Sequence, residues 1–139
     1  MQLKFKAINP KTKKEIKKFH LQYENNDVRW LFNQDDALYC DVNSDGTFGS
    51  ERIILLQLVC TTPDGKEIYG GLNGANGDKV LIETNEFKAI GHVVYQEDFS
   101  RFAVKCTGAR PIYGYIYYPI EIKSILKLEL IEGKGDSNA

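Results

Sequence analysis

Apolar and polar residues alternate with period two along almost the whole chain, the pattern of strands with one face in a core and the other in water. Leu3, Phe5 and Ala7 alternate with Gln2, Lys4 and Lys6. The stretch "NPKTKK" then supplies Asn and Pro turn chemistry, and "EIKKFHLQY" returns as a second strand. "ALYCDV" and "RIILLQLVC" are both β-rich, "TPDGKE" is a turn, and "KVLIET", "AIGHVVYQ" and "RFAVKC" follow at short, even spacing. "IYGYIYY" and "ILKLELI" complete the patterned region, and "EGKGDSNA" reads as a frayed tail. Residues 24–37, "ENNDVRWLFNQDDA", fit either a short helix or a further strand around Trp30. Evenly spaced short strands with turn signals between them predict a mainly β fold, all-β or α+β with little helix, of the barrel or sandwich kind.

The length of 139 residues suits one domain that buries its own core, expected over residues 1–132 with a flexible tail at 133–139. Apolar residues make up 42% and charged residues 27%, which sets the chain apart from disordered sequences. The net charge of -1 supplies no global field to draw in nucleic acid, but its distribution is uneven. Residues 1–20 hold seven lysines against one glutamate, a local charge of +6. Residues 24–52 hold seven acids against two arginines, a local charge of -5. The basic segment can lean on the acidic one or face an anionic partner. No apolar run reaches the roughly 18 residues of a membrane span. Cys40, Cys60 and Cys106 are too few and too scattered for a disulfide framework, which points to a reducing cytoplasm.

Three stretches invite a chemical reading. In "DVNSDGTFGSER" (41–52), Asp41, Asn43 and Asp45 stand where a calcium loop places its first oxygens, with Gly46 at the sharp turn. Its twelfth position is Arg52, a cation where the ion's bidentate carboxylate belongs. A turn joining "ALYCDV" to "RIILLQLVC" as a hairpin is the preferred reading, with weak calcium binding as its alternative. "GGLNGANGDKV" (70–80) is Gly-rich but lacks the Lys-Ser/Thr ending and following helix of a phosphate loop. It reads as a flexible surface loop able to order around a partner, with Gly71, Asn73 and Asn76 as contacts. In "PIYGYIYYP" (111–119), Tyr113, Tyr115 and Tyr117 share one strand face, and Ile112, Gly114, Ile116 and Tyr118 share the other. One face must be core; a row of tyrosines on the other can grip a protein or stack bases.

Catalytic readings fare worse. If "AIGHVVYQ" and "RFAVKC" form a hairpin turning at "EDFS", Tyr95 faces Phe102, His92 faces Lys105 and Cys106 faces Gly91. Cys106 and His92 then lie on opposite faces of the sheet, out of reach as nucleophile and base. No C-x-x-C or H-x-x-x-H spacing offers a zinc site. The expectation is therefore no catalytic residue, no metal and no cofactor.

"TPDGKEIYGG…GDKVLIE…AIGHVVYQEDFSRFAV" resembles the YopX family of phage and prophage proteins, with its "DKNGKEIYEGDIV" core and a following Gly-Val-Val-Tyr-like strand. The opening "LKFKAINPKTKKEI" is similar to the family's "IKFRAWDKKTKKM", and "ILLQLVCTTPDGKEIY" to "ILMQYTGLKDKNGKEIY". The chain departs from the pattern after Tyr69, where Gly70–Asn76 replace a tight turn and the family's Glu is absent; Ile8 stands where a Trp is expected. The resemblance implies a phage or prophage product acting in the cytoplasm of a bacterial host. Gly-Asp-x-Val followed by Gly-x-Val-Val-Tyr fits an SH3-like small barrel, expected from about Lys79 to Ile131, with an N-terminal hairpin and meander packed on it. The expected role is a non-enzymatic accessory protein that binds a host or phage protein, with homo-oligomers favoured by exposed strand edges. The alternative is nucleic-acid binding through Lys11, Lys13, Lys14, Lys17 and Lys18 together with the tyrosine-lined strand.

Overall fold

A computed structural model describes residues 4–25, 27–33, 38–73, 75–107, 115–120 and 127–133. Its regular elements are strands β1 (Phe5–Asn9), β2 (Lys14–Ile16), β3 (Phe19–Glu24), β4 (Asp27–Asn33), β5 (Leu38–Asp41), β6 (Ile54–Thr61), β7 (Glu67–Gly71), β8 (Lys79–Glu83), β9 (Lys88–Gln96), β10 (Arg101–Thr107), β11 (Tyr115–Pro119) and β12 (Lys127–Glu132). One 3₁₀ turn at Glu97–Phe99 is the sole helical element among the described residues. The mainly β expectation therefore holds.

Nine strands form one sheet with the path β11-β10-β9-β7-β6-β1-β2, and β8 bridges β9 to β12 beside that path. The other three strands, β3-β4-β5, make a second sheet. Pairing among the described strands does not close a barrel. Two local expectations change, and one left open is decided. "EIKKFHLQY" is two strands, not one: β2 pairs β1, whereas β3 turns away into the small sheet. The ambiguous segment around Trp30 is the strand β4, residues 34–37 lying outside the described residues. "ALYCDV" and "RIILLQLVC" are not partners in a hairpin, because β5 belongs to the small sheet and β6 to the large one.

The reason lies in packing. Leu31 of β4, Ala7 of β1, Leu55 of β6 and Phe48 from the intervening turn are all fully buried in one cluster between the sheets. Burying Leu31, Leu55 and Phe48 contributes roughly 1.5–3 kcal/mol each, which favours joining the two sheets at this cluster. Ile8 and Leu56 are buried on the opposite face, against Tyr69. β1 and β6 are thus covered on both sides, which is why "RIILLQLVC" loses its alternation. A further cluster of Ile68, Val80, Ile82, Val93, Val104 and Cys106 fills the other half of the large sheet.

The β9–β10 hairpin has the register expected from its sequence: Tyr95 opposite Phe102, His92 opposite Lys105 and Gly91 opposite Cys106. "TPDGKE" makes the β6–β7 turn, with Gly65 at φ 88 and its N–H donated to the Thr62 carbonyl at 2.9 Å.

Candidate functional site

The tip of the β9–β10 hairpin is built from "QEDFSR". Ser100, at φ 50, turns the chain back and leaves the Phe99 ring 61% exposed. The Arg101 guanidinium lies 4.5 Å from the Phe99 ring centre and donates from Nε to Gln96 Oε1 at 3.0 Å, so the exposed ring is held rather than loose. Below this lip, Tyr117 of β11 stands opposite Lys105 of β10 and is 39% exposed. Val94, Tyr95, Gln96, Asp98, Phe99, Lys105 and Tyr117 enclose an open cleft of about 410 Å³. Its chemistry is three aromatic side chains, an ammonium, a carboxylate and an amide, the mixture of a surface that can seat a partner's side chain.

Lys105 Nζ also reaches Asn76 Oδ1 at 3.5 Å. The tyrosine strand and the end of the 70–80 segment, two stretches singled out separately in the sequence, therefore meet at one lysine. Of the expected tyrosine row, Tyr117 is outward-facing, while Tyr118 turns inward onto Phe87 at 4.7 Å between ring centres, as the alternation requires. Tyr113 lies outside the described residues, as does the side chain of Tyr115. The sequence alone marks "EDFS" as a turn and does not single out Phe99, Asp98, Gln96 or Lys105 as a site. An aromatic residue in an otherwise acidic and polar turn was the available signal.

The 70–80 segment is not the flexible surface loop its composition suggests. Gly70, Gly71, Ala75, Gly77 and Asp78 are buried, Asn73 is half-buried and Asn76 is exposed. Asp78, 2% exposed, accepts the Tyr69 N–H on Oδ2 at 2.8 Å. Its own N–H donates to the Tyr69 carbonyl at 2.9 Å, and its carbonyl accepts the Val93 N–H at 3.0 Å. Gly77 donates to the Val93 carbonyl at 2.9 Å. His92 Nδ1 lies 3.1 Å from the Gly77 carbonyl. Asp78 is thus a clamp that ties β7 to β9 across the start of β8, and of the expected contacts Gly71, Asn73 and Asn76 only Asn76 presents itself to a partner.

In the calcium-like stretch both Asp45 oxygens and one Asp41 oxygen are already hydrogen-bonded. Asp45 Oδ1 accepts from the Thr47 hydroxyl at 2.6 Å and the Thr47 N–H at 3.1 Å, and Arg52 donates to Oδ2 at 2.5 Å. These Thr47 bonds, with Arg52 behind them, hold the Asp45 carboxyl below its ordinary range. Asn43 uses its amide as a donor to the Thr47 hydroxyl at 3.1 Å and to the Gly49 carbonyl at 2.8 Å. Asp41 Oδ1 accepts the Val42 N–H at 2.8 Å. The stretch is a double turn pinned by Phe48, which bridges to both Val42 and Ile53. Among the described residues no three His, Cys, Asp or Glu side chains gather as a metal site.

Cys106 and His92 occupy opposite faces of the hairpin, as their register dictates. Burial pushes the Cys106 and Cys60 thiols up, away from the thiolate a nucleophile needs. The five candidate phosphate-binding lysines, Lys11, Lys13, Lys14, Lys17 and Lys18, are exposed around β2, with Lys17 paired to Glu15 at 3.4 Å. β2 and β11 are the two ends of the large sheet's strand path, so the lysines and the tyrosine strand are not neighbours in it. Among the described residues no helix is long and apolar enough to cross a membrane.

Comparison of the chain with protein-family models, with curated proteins and with solved structures finds no match.

Proposed function

We propose that the protein is a non-enzymatic accessory module of a phage or prophage that binds a host or phage protein in the bacterial cytoplasm, with the Phe99–Tyr117 cleft as its contact surface. The phage assignment rests on the YopX-like residues quoted above. The observation that carries the binding role is the exposed Phe99 ring, fixed by Arg101 over a cleft walled by Tyr117 and Lys105. Exposed aromatic side chains held in one rotamer lose little entropy on binding, which suits them as interface anchors.

An SH3-like module is the fold reading that accompanies it. β8 to β12 pair in the order β12-β8-β9-β10-β11, so the first and last strands of the set are already neighbours. Among the described residues the set stays open between β11 and β12, a small barrel with one seam unpaired. A Cβ at Gly91 would stand 2.4 Å from the Lys105 carbonyl oxygen, consistent with the tight crossing a small barrel needs at that corner.

The test is affinity capture from host cells with the wild-type protein and with Phe99→Ala. The wild type retains one stoichiometric protein and the variant loses it, with melting unchanged to within about 0.5 kcal/mol because the ring is exposed. Equal recovery by both proteins would remove the cleft from the binding role. Recovery of nucleic acid with a steep salt dependence would favour the lysine-based alternative instead.

A further inference from the structure

Among the described residues β11 has one edge with no partner strand, and the sequence of that edge is unusual. Ile120 donates its N–H to the Phe102 carbonyl at 3.2 Å, and Ile116 and Tyr118 share its parity opposite Cys106 and Val104. The even-numbered residues therefore spend their backbone groups on β10. Tyr115, Tyr117 and Pro119 aim theirs at the other side, where no strand pairs among the described residues. Pro119, which has no N–H to give, occupies an edge-facing position, the placement a sheet tolerates.

Exposed edges in natural sheets are normally blunted by charge or brevity. β2 has three residues including Lys14 and Glu15, β3 ends in Glu24, β5 ends in Asp41, and β12 carries Lys127, Glu129 and Glu132. β11, Tyr-Ile-Tyr-Tyr-Pro, has no charge at all, and its Ile116 and Tyr117 are 43% and 39% exposed. Such a strand can lie beside its own copy without setting like charges together.

We infer that β11 pairs antiparallel with β11 of a second copy of this chain, on a two-fold axis at Tyr117. In that register the two Tyr117 residues exchange both of their backbone hydrogen bonds. Tyr115 of each copy donates to the Pro119 carbonyl of the other, so the donor that proline lacks is never called on from the centre of the pair. The arrangement uses every edge-facing N–H of the strand. It sets the two Tyr117 side chains on one face, bringing two clefts side by side. A five-residue edge is short, so the association is of the weak, concentration-dependent class. Tyr117 belongs to both the cleft and the strand pair, but the pairing uses its backbone and leaves Phe99 out, so Phe99→Ala should keep the dimer whether or not the cleft reading holds.

Sedimentation equilibrium combined with amide hydrogen exchange tests it on the full chain. The expected result is a monomer–dimer equilibrium in which the Tyr115 and Tyr117 amides slow as concentration rises, while Ile116 and Tyr118 are protected throughout. Tyr117→Pro deletes the central donor without touching the β10 ladder, and Tyr117→Lys opposes like charges across the axis. Each weakens the dimer by about tenfold or more. Tyr23→Lys, on an exposed position of β3, leaves it intact. A monomer whose Tyr115 and Tyr117 amides exchange freely at every concentration would overturn the proposal, as would a dimer broken by Tyr23→Lys and not by the Tyr117 variants.

Discussion

The two stretches whose composition most suggests a ligand, 41–52 and 70–78, differ in kind from the hairpin tip at 96–101, whose composition suggests only a turn. In the first two, polar groups are turned on one another: Asp45 on Thr47 and Arg52, Asn43 on Gly49, Asp78 on Tyr69. They even touch each other, since a Cβ on Gly46 would overlap the Asn73 carbonyl. The tip keeps Phe99 in solvent. Glycine, asparagine and aspartate mark places where the backbone bends sharply, and sharp bends serve a core as readily as a ligand. An aromatic side chain left outside has no such architectural use.

Glycine substitutions strain this contrast hardest, and there the largest effect is expected. A Cβ on Gly77 would sit 2.5 Å from the Tyr69 carbonyl oxygen, 2.6 Å from the Gly71 nitrogen and 2.6 Å from the Val93 carbonyl oxygen. All three are backbone atoms in the clamp, so none can swing aside. Gly77→Ala should cost about 3 kcal/mol, the cost of overpacking a rigid site. For a chain of this length that lowers the melting temperature by about 10 °C. Gly65 sits at φ 88 with nothing within 4 Å of an added Cβ, so Gly65→Ala carries only backbone strain, about 1 kcal/mol. Equal melting temperatures for the two variants would mean that the 70–78 segment is looser than its packing implies.

Why the fold was more legible than the site follows from the physics of each. Period-two alternation fixes strands one at a time, and the β9–β10 register followed from a four-residue turn, so Tyr95–Phe102 and His92–Lys105 could be read directly. Sheet membership is set by contacts distant in sequence. Phe48 reaching Leu31 and Leu55 decides that β5 and β6 part company, and nothing local in "DVNSDG" says so. The cleft is of the same sort. Tyr117 reads as a surface residue from its strand alone, but its meeting with Phe99 and Lys105 needs the β9–β10–β11 register and the turn at Ser100 together. The buried character of Asp78 was hidden for the opposite reason. A carboxylate in a glycine-rich stretch looks solvated until the Tyr69 N–H is found pointing at it.

Asp78 gives the next effect in size. Asp78→Ala leaves the buried Tyr69 N–H without that acceptor, a loss of about 2 kcal/mol, whereas Asp78→Asn keeps an oxygen in place and loses less. Urea unfolding should therefore order the proteins wild type, Asn variant, Ala variant, with the slope against urea unchanged. An alanine variant as stable as the wild type would show that the carboxylate does not hold β7, and would return the 70–78 segment to the candidates for partner contact.

The smallest expected effect is none at all, in a calcium titration followed by thermal melting. A site with a dissociation constant near 1 mM, filled at about 10 mM calcium, would stabilise the folded chain by about 1.4 kcal/mol. That is a rise of about 4 °C, easily measured. We expect no rise for the wild type, because Asp45 would have to surrender the Thr47 hydroxyl and N–H, and Arg52, before it could turn its oxygens to an ion. Arg52→Glu separates two explanations of that result. It removes the cation beside Asp45 and supplies an acid at the twelfth position, so if Arg52 alone blocked the ion, the variant would gain a calcium-dependent rise. If the internal bonding of the double turn is the obstacle, the variant melts at one temperature with and without calcium. A rise in the variant would place the 41–52 stretch nearer to the hairpin tip than to the 70–78 clamp, as a surface with unspent chemistry.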